Sequence, residues 1–92
     1  MSELKALFSP RSIAIIGASR SPKKIGYELV YNIIMGGYEG RLYLVNPEGA
    51  EIMGIKSYTS VKLIPGDVDL AVIAVPAVYV PDILEECGEK GV

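Results

Sequence analysis

Four apolar runs along the chain have the length of β-strands. They are Ile13–Ile16, Leu42–Val45, the segment 51–58 and Val68–Val75. Residues that favour turns, such as glycine, asparagine and proline, separate these runs from the rest of the chain. Short apolar runs bounded in this way are typical of strands buried on both faces of a parallel sheet. The pattern therefore predicts four strands.

Helical periodicity fills the intervals between the strands. In the first interval, apolar residues recur every three or four positions until Gly36 and Gly37, which form a typical helix end. The segment TSVKLIPG predicts one or two helical turns, and a last helix begins near Pro81. The apolar stripes are Ile25, Leu29, Val30, Ile33 and Ile34 in the first helix, and Val80, Ile83, Leu84 and Cys87 in the last. On the last helix, a solvated face is expected from Glu85, Glu86, Glu89 and Lys90.

The alternation of strands and helices predicts an α/β fold. We expect a Rossmann-like, doubly wound parallel sheet with helices on both faces, in the strand order 3-2-1-4 by analogy with dinucleotide-binding folds. Gly91 and Val92 look like the start of another strand, so the sheet is expected to be truncated, with four strands of about five. Residues 1–92 are then one domain, and its edge strand, Asp69–Val75, is expected to support self-association.

Composition narrows the function classes. The chain has 92 residues, 50% of them hydrophobic, and a net charge of −2, which indicates a globular domain with neither nucleic acid nor membrane as a partner. The lead MSELKALFSPRS lacks the features of a signal peptide, so a cytoplasmic protein is expected. With one cysteine and no histidine, neither a metal site nor a catalytic residue is expected. The absence of Trp and Gln is compatible with a thermophilic source.

The turn after the first strand has the composition of a phosphate site. In SIAIIGASRSPKKIG, Gly17 permits a tight turn, and Gly26 is expected to let a ligand approach the helix backbone. The start of a helix offers free N–H groups and a partial positive charge. Arg20, Lys23 and Lys24 add three full charges beside it. The coincidence predicts that this turn binds a phosphate group.

The known nucleotide fingerprints fit this turn poorly. In the dinucleotide pattern G-x-G-x-x-G, the second and third glycines would be Ser19 and Pro22 here. The acidic residue that usually closes the second strand is replaced by Asn46. The triphosphate loop also fails, because no Gly-Lys-Ser or Gly-Lys-Thr occurs. An ordinary NAD site is therefore disfavoured.

Four segments of the chain carry a resemblance to a known family. They are LFSPRSIAIIGASRSPKKIGYEL, YLVNP, VDLAVIAVPA and ECGEKGV. Together they resemble the N-terminal CoA-binding domain of ADP-forming acyl-CoA synthetases, the acetate–CoA ligases related to the succinyl-CoA synthetase α subunit. The resemblance implies a CoA-binding domain that is not catalytic by itself. A histidine-bearing domain and an ATP-grasp domain, which would bind ATP, ADP and Mg²⁺, would be its partners.

The resemblance also implies three groups of contacts with coenzyme A. These are Ser19, Lys24, Ile25 and Gly26 for the phosphates, Val45, Asn46 and Pro47 for the adenosine end, and Val75, Pro76 and Ala77 for the nucleotide or the pantetheine arm. Relatives often carry a lysine after the Asn-Pro pair, whereas this chain has Glu48. The missing charge is therefore expected from Arg20, Lys23 or Lys24.

Two alternative functions stay open. The chain could be an NAD(P)-binding fragment of an oxidoreductase or a free-standing regulatory CoA-binding protein.

Cys87 falls on the apolar stripe of the last helix and is expected in the core rather than as a reactive thiol. Tyr79 is expected to pack at the surface or at a domain contact.

Overall fold

A five-stranded sheet runs through the centre of the protein. The computed structural model describes residues 10–92. Residues 1–9, the first part of the amino-terminal lead, lie outside the described residues. The strands are β1 (Ser12–Ile16), β2 (Arg41–Val45), β3 (Glu51–Ile52), β4 (Ile55–Tyr58) and β5 (Leu70–Ile73). The helices are two α-helices, α1 (Ile25–Met35) and α2 (Val80–Lys90), and two short 3-10 helices at Val61–Leu63 and Ala77–Tyr79. Within residues 10–92, no helix is long and apolar enough to cross a membrane.

The order of the strands across the sheet is β3-β4-β2-β1-β5. β1 lies between β2 and β5 and is parallel to both, and β4 is parallel to β2. The Rossmann-like prediction and the order of its parallel strands are therefore confirmed. A central β1 brings the carboxyl ends of four parallel strands to one edge of the sheet, which is where ligands bind in such folds.

The predicted single strand over residues 51–58 is wrong. The segment is a hairpin in which β3 and β4 pair antiparallel, so the sheet has five strands and is mixed. Met53 and Gly54 form its turn with φ of 49° and 81°. Two consecutive positive φ values match the twist of a tight hairpin, and glycine at the second position makes the turn accessible.

Two cores cover the two faces of the sheet. Residues alternate between the faces along a strand, and all five residues of β1 are buried. On one face α1 packs with Val30 over Ile13 and Ile15, and on the other Cys87 of α2 packs with Ala14 and Ile16. Burial, and secondarily the charge of Glu86, raises the pKa of the Cys87 thiol above its ordinary value. Cys87 is thus a core residue, as predicted.

The predicted apolar stripes of the two helices are only partly buried. Ile25 is 67% exposed, Leu84 is 57% exposed, and Ile34 also reaches solvent. Ile25 is the first residue of α1, and Leu84 lies on the side of α2 that faces away from the sheet. Helical spacing therefore identified the helices but overestimated the width of their buried faces.

Polar contacts fasten α2 to the 3-10 helix at Val61–Leu63. Ser60 donates a hydrogen bond to the Glu86 carboxylate, the Lys62 ammonium lies 3.0 Å from the Glu89 carboxylate, and Lys90 donates to the carbonyl of Ile64. The hydrogen bond that Lys62 donates to Glu89 raises the pKa of Lys62. The expected solvated face of α2 is therefore wrong for Glu86 and Lys90, which are half-buried because the segment after β4 packs against them, whereas Glu85 and Glu89 are exposed as expected.

β5 is an edge strand, and this leads to a first testable expectation. It pairs with β1 on one side, and nothing in residues 10–92 pairs with its other side. Unpaired backbone groups on an apolar edge favour pairing with another chain. We expect the 92-residue chain to self-associate through Asp69–Val75, so that the average mass in sedimentation velocity rises with concentration. A single monomeric species at all concentrations would contradict this expectation.

Candidate functional site

The loops that follow β1, β2 and β5 lie side by side at one edge of the sheet. The N–H groups of Gly17 and Ala18 both donate to the carbonyl of Val45, at 3.0 and 3.2 Å. On the other side, the N–H of Ala74 donates to the carbonyl of Ile16 at 2.7 Å. The prediction that these loops face one crevice is confirmed.

At this edge, two glycines allow neighbouring backbone segments to lie in close contact. Gly17 has φ of 97°, and a Cβ atom there would lie 2.5 Å from the carbonyl oxygen of Ala74. A Cβ atom on Gly26 would overlap the carbonyl oxygen of Gly17. The sequence predicts that Gly26 lets a ligand approach, and in the structure the absence of its side chain also makes room for the turn after β1. This contact fixes where α1 begins.

The amino end of α1 is open. Its N-cap residue, Lys24, has extended backbone angles, and no side chain in the described chain caps the helix. The first N–H groups of an α-helix have no partner within the helix and carry a partial positive charge. Arg20 and Lys23, together with Lys24, are exposed around this end. Free N–H groups and three cations suit a phosphate group.

The loop between Gly17 and α1 holds itself in shape. Ser19 Oγ accepts a hydrogen bond from the N–H of Ser21 at 3.1 Å, and the N–H of Lys24 donates to the carbonyl of Ser21 at 3.0 Å. Ser19 is half-buried. Its hydroxyl hydrogen has no acceptor within residues 10–92, so it can donate to a ligand while its oxygen accepts from Ser21.

Asn46 connects the loops after β1 and β2. Its Nδ2 donates to the carbonyl of Ala18 at 2.9 Å, and its Oδ1 accepts from the N–H of Glu48 at 2.8 Å. The side chain is thus committed to the protein, and it positions both loops. Pro47 and Glu48 after it are exposed at the mouth of the crevice.

A small apolar pocket opens on the α2 side of the crevice. The predicted residues Gly17, Val45, Pro47 and Val75 meet there. The pocket also contains residues that the sequence did not single out, namely Ile16, Thr59, Ser60, Val61, Ile83 and Glu86. Thr59 and Ser60 follow β4 and so reach the same sheet edge, which the parallel topology could have indicated. Glu86 gave no such signal, because its position in α2 reads as solvent-facing.

The other predicted residues lie outside this pocket. Pro76 and Ala77 are exposed where the chain enters the second 3-10 helix, and Tyr79 at its end is 58% exposed. Ile25 projects from the start of α1. The site therefore has two parts, an open cationic turn at α1 and an apolar pocket bordered by α2.

Comparison with known proteins identifies the family of the chain. The model of a family described as CoA binding domain matches residues 11–92. The chain belongs to this family of CoA-binding domains. Coenzyme A is accordingly the ligand of the domain, and the nicotinamide alternative is not supported.

Relatives place the CoA-binding domain within larger proteins. The chain is 56% identical to acetate–CoA ligase [ADP-forming] I subunit alpha of Pyrococcus furiosus over 97% of its length, and 50% identical to acetate–CoA ligase [ADP-forming] of Methanocaldococcus jannaschii over 98%. It spans 20% and 12% of those proteins. The CoA-binding domain is thus homologous to a fraction of each ligase.

A solved structure shares the fold of the CoA-binding domain throughout. The dinucleotide forming acetyl-coenzyme A synthetase 1 of Ca. Korarchaeum cryptofilum, in complex with phosphate and ADP, superposes with a TM-score of 0.94 at 42% identity. The match covers 100% of this chain and 20% of that one. The Rossmann-like fold is therefore shared with a synthetase.

Proposed function

We propose that this chain holds coenzyme A for an ADP-forming acyl-CoA synthetase. The complete enzyme would convert an acid, ATP and CoA into acyl-CoA, ADP and phosphate. The observation that carries the proposal is the uncapped start of α1, where free N–H groups meet three exposed cations beside a crevice at the sheet edge. Homology to ADP-forming ligases supports the reaction class.

The two parts of the site suggest how the ligand is divided between them. The phosphates would bind at Ser19 and the turn from Lys24 to Gly26, with Arg20 and Lys23 supplying further charge. The adenosine end would lie along Val45, Asn46 and Pro47. The pantetheine arm would pass Val75, Pro76 and Ala77, which border the other side of the crevice.

The chemistry would require other parts of the enzyme. This chain contains no histidine that could carry a phosphoryl group. A histidine-bearing domain and an ATP-grasp domain, on the same or another subunit, would provide the phosphoryl transfer and bind ATP and Mg²⁺. The contribution of this domain would be to hold and orient CoA in the cytoplasm, where these substrates occur.

The 3′-phosphate of CoA provides a test of the cationic turn. We expect the 92-residue chain to bind CoA about tenfold more tightly than dephospho-CoA, because a charge-assisted hydrogen bond at an exposed site is worth at least that much. In Lys24→Ala the preference should largely disappear. Lys56→Ala is the matched control, because Lys56 is an exposed lysine on β4 in the hairpin. Titration calorimetry with both ligands measures the ratio.

NAD separates the proposed function from its alternative. NAD lacks both the 3′-phosphate and the pantetheine arm, so we expect it to bind more weakly than CoA. NAD binding as tightly as CoA would overturn the proposed function. Equal affinities for CoA and dephospho-CoA would instead show that the turn at Lys24 contacts only the pyrophosphate.

A further inference from the structure

One carboxylate lies in the wall of a mostly apolar pocket, near Thr59 and Ser60. Glu86 is half-buried on α2 and lines the pocket together with Val45, Pro47 and Val75. A half-buried carboxylate is costly unless polar partners compensate it. Glu86 places a negative charge in the pocket, on the α2 side of the crevice.

Glu86 is held in one orientation. Its Oε1 accepts a hydrogen bond from Ser60, whose Oγ also accepts from the N–H of Lys62 at 3.2 Å and so caps the first 3-10 helix. The contacts of Lys62 with Glu89 and of Lys90 with Ile64 keep this segment against α2. The second oxygen, Oε2, has no hydrogen-bond partner within residues 10–92. It can accept a bond from a ligand.

The sign of this charge selects which part of CoA can lie beside it. A phosphate group would be repelled by the carboxylate and belongs at the cationic amino end of α1. The pocket instead suits a flat, uncharged ring with a hydrogen-bond donor at its edge. Adenine has this chemistry, because its faces are apolar and its exocyclic amine donates. The pantetheine arm would pass the exposed residues Pro76 and Ala77, which lie outside this pocket.

From this we infer that Glu86 recognises the adenine base of CoA, with Oε2 accepting a hydrogen bond from the exocyclic amine. Ser60 is the positioning residue that orients the carboxylate. The inference rests on the proposed function and assigns a specificity-determining residue within it. It makes the domain selective for the base as well as for the phosphates.

An analogue of CoA with purine in place of adenine tests the inference, since it lacks only the amine. The 92-residue chain should bind CoA about tenfold more tightly than the purine analogue, the lower end for a hydrogen bond to a charged acceptor. In Glu86→Ala the two ligands should bind within about twofold of each other. Glu86→Gln loses the charge and keeps a single acceptor oxygen, which can face the exocyclic amine only when the amide Nε2 donates to Ser60 Oγ, so the preference should fall to about threefold.

Glu85→Ala is the matched control, because Glu85 is the exposed neighbour on the same helix and lies outside the pocket. This variant should keep the tenfold preference. Equal binding of CoA and the purine analogue by the unmodified chain would overturn the inference and leave the proposed function intact. A preference that survives Glu86→Ala would also overturn it. Failure of the unmodified chain to bind CoA at all would overturn both.

Discussion

Replacing Gly26 with alanine is expected to lower the free energy of unfolding by about 3 kcal/mol. The added Cβ would overlap the carbonyl oxygen of Gly17, and this neighbour is backbone rather than a side chain that can rotate away. Either α1 must move off the sheet or the turn after β1 must deform. The total stability of a small domain is about 5 kcal/mol or somewhat more, so a loss of this size removes a large share of it. Urea denaturation followed by circular dichroism measures it.

Gly88→Ala is the control for Gly26→Ala. Gly88 lies on α2, is exposed, and has nothing within 4 Å of the position that a Cβ would take. Alanine there should raise the free energy of unfolding by about 0.5–1 kcal/mol, the usual difference in helix propensity. If both variants changed stability in the same direction, the close contact between Gly26 and Gly17 would not be the reason for the glycine.

Replacing Asn46 with aspartate is expected to cost about 1–3 kcal/mol of stability at neutral pH. The side chain would lose the Nδ2 donor and place a negative oxygen against the carbonyl oxygen of Ala18, which now receives a 2.9 Å hydrogen bond. Because Asn46 is half-buried, water compensates this loss only in part. The loops after β1 and β2 would separate, so CoA binding should weaken by at least fivefold as well.

Asn32→Asp makes the same chemical change at an exposed position on α1. It should cost only a few tenths of a kcal/mol, because a negative charge near the end of a helix is mildly unfavourable. Its CoA affinity should match that of the unmodified chain. Urea denaturation and titration calorimetry on both variants measure the two effects. Equal losses at Asn46 and Asn32 would show that the amide of Asn46 does not hold the loops together.

Local sequence pattern predicts the parts of this fold that local physics determines. The apolar run Ile13–Ile16 indicates a strand buried on both faces, and β1 is that strand. The hairpin at Met53 and Gly54 was missed because it lacks the Asn-Gly or Asp-Gly signal of a two-residue turn. Such a turn can form from Met-Gly only because pairing of β4 with β2 supports it.

The residues of the candidate site fall into the same two groups, those that local sequence predicts and those that depend on tertiary contacts. The cations at Arg20, Lys23 and Lys24 and the glycines of the turn are visible in one short segment of sequence. Glu86 is not, because its role depends on Ser60, 26 positions away, and on the packing of the segment after β4 against α2. Sequence also showed that Gly26 is special without showing its neighbour. The identity of the contacting atoms is tertiary information in both cases.

The central place of β1 has a consequence for how the protein is made. Its neighbour on one side, β5, arrives late, since Ser12 bonds to Asp69, 57 positions further along the chain. At a synthesis rate of about 5–20 residues per second, the fully buried strand β1 waits roughly 3–11 s for that partner. During this time its hydrophobic side chains are incompletely covered on the ribosome. An early strand that pairs with a late one thus keeps hydrophobic surface exposed during synthesis, which favours aggregation of the nascent chain.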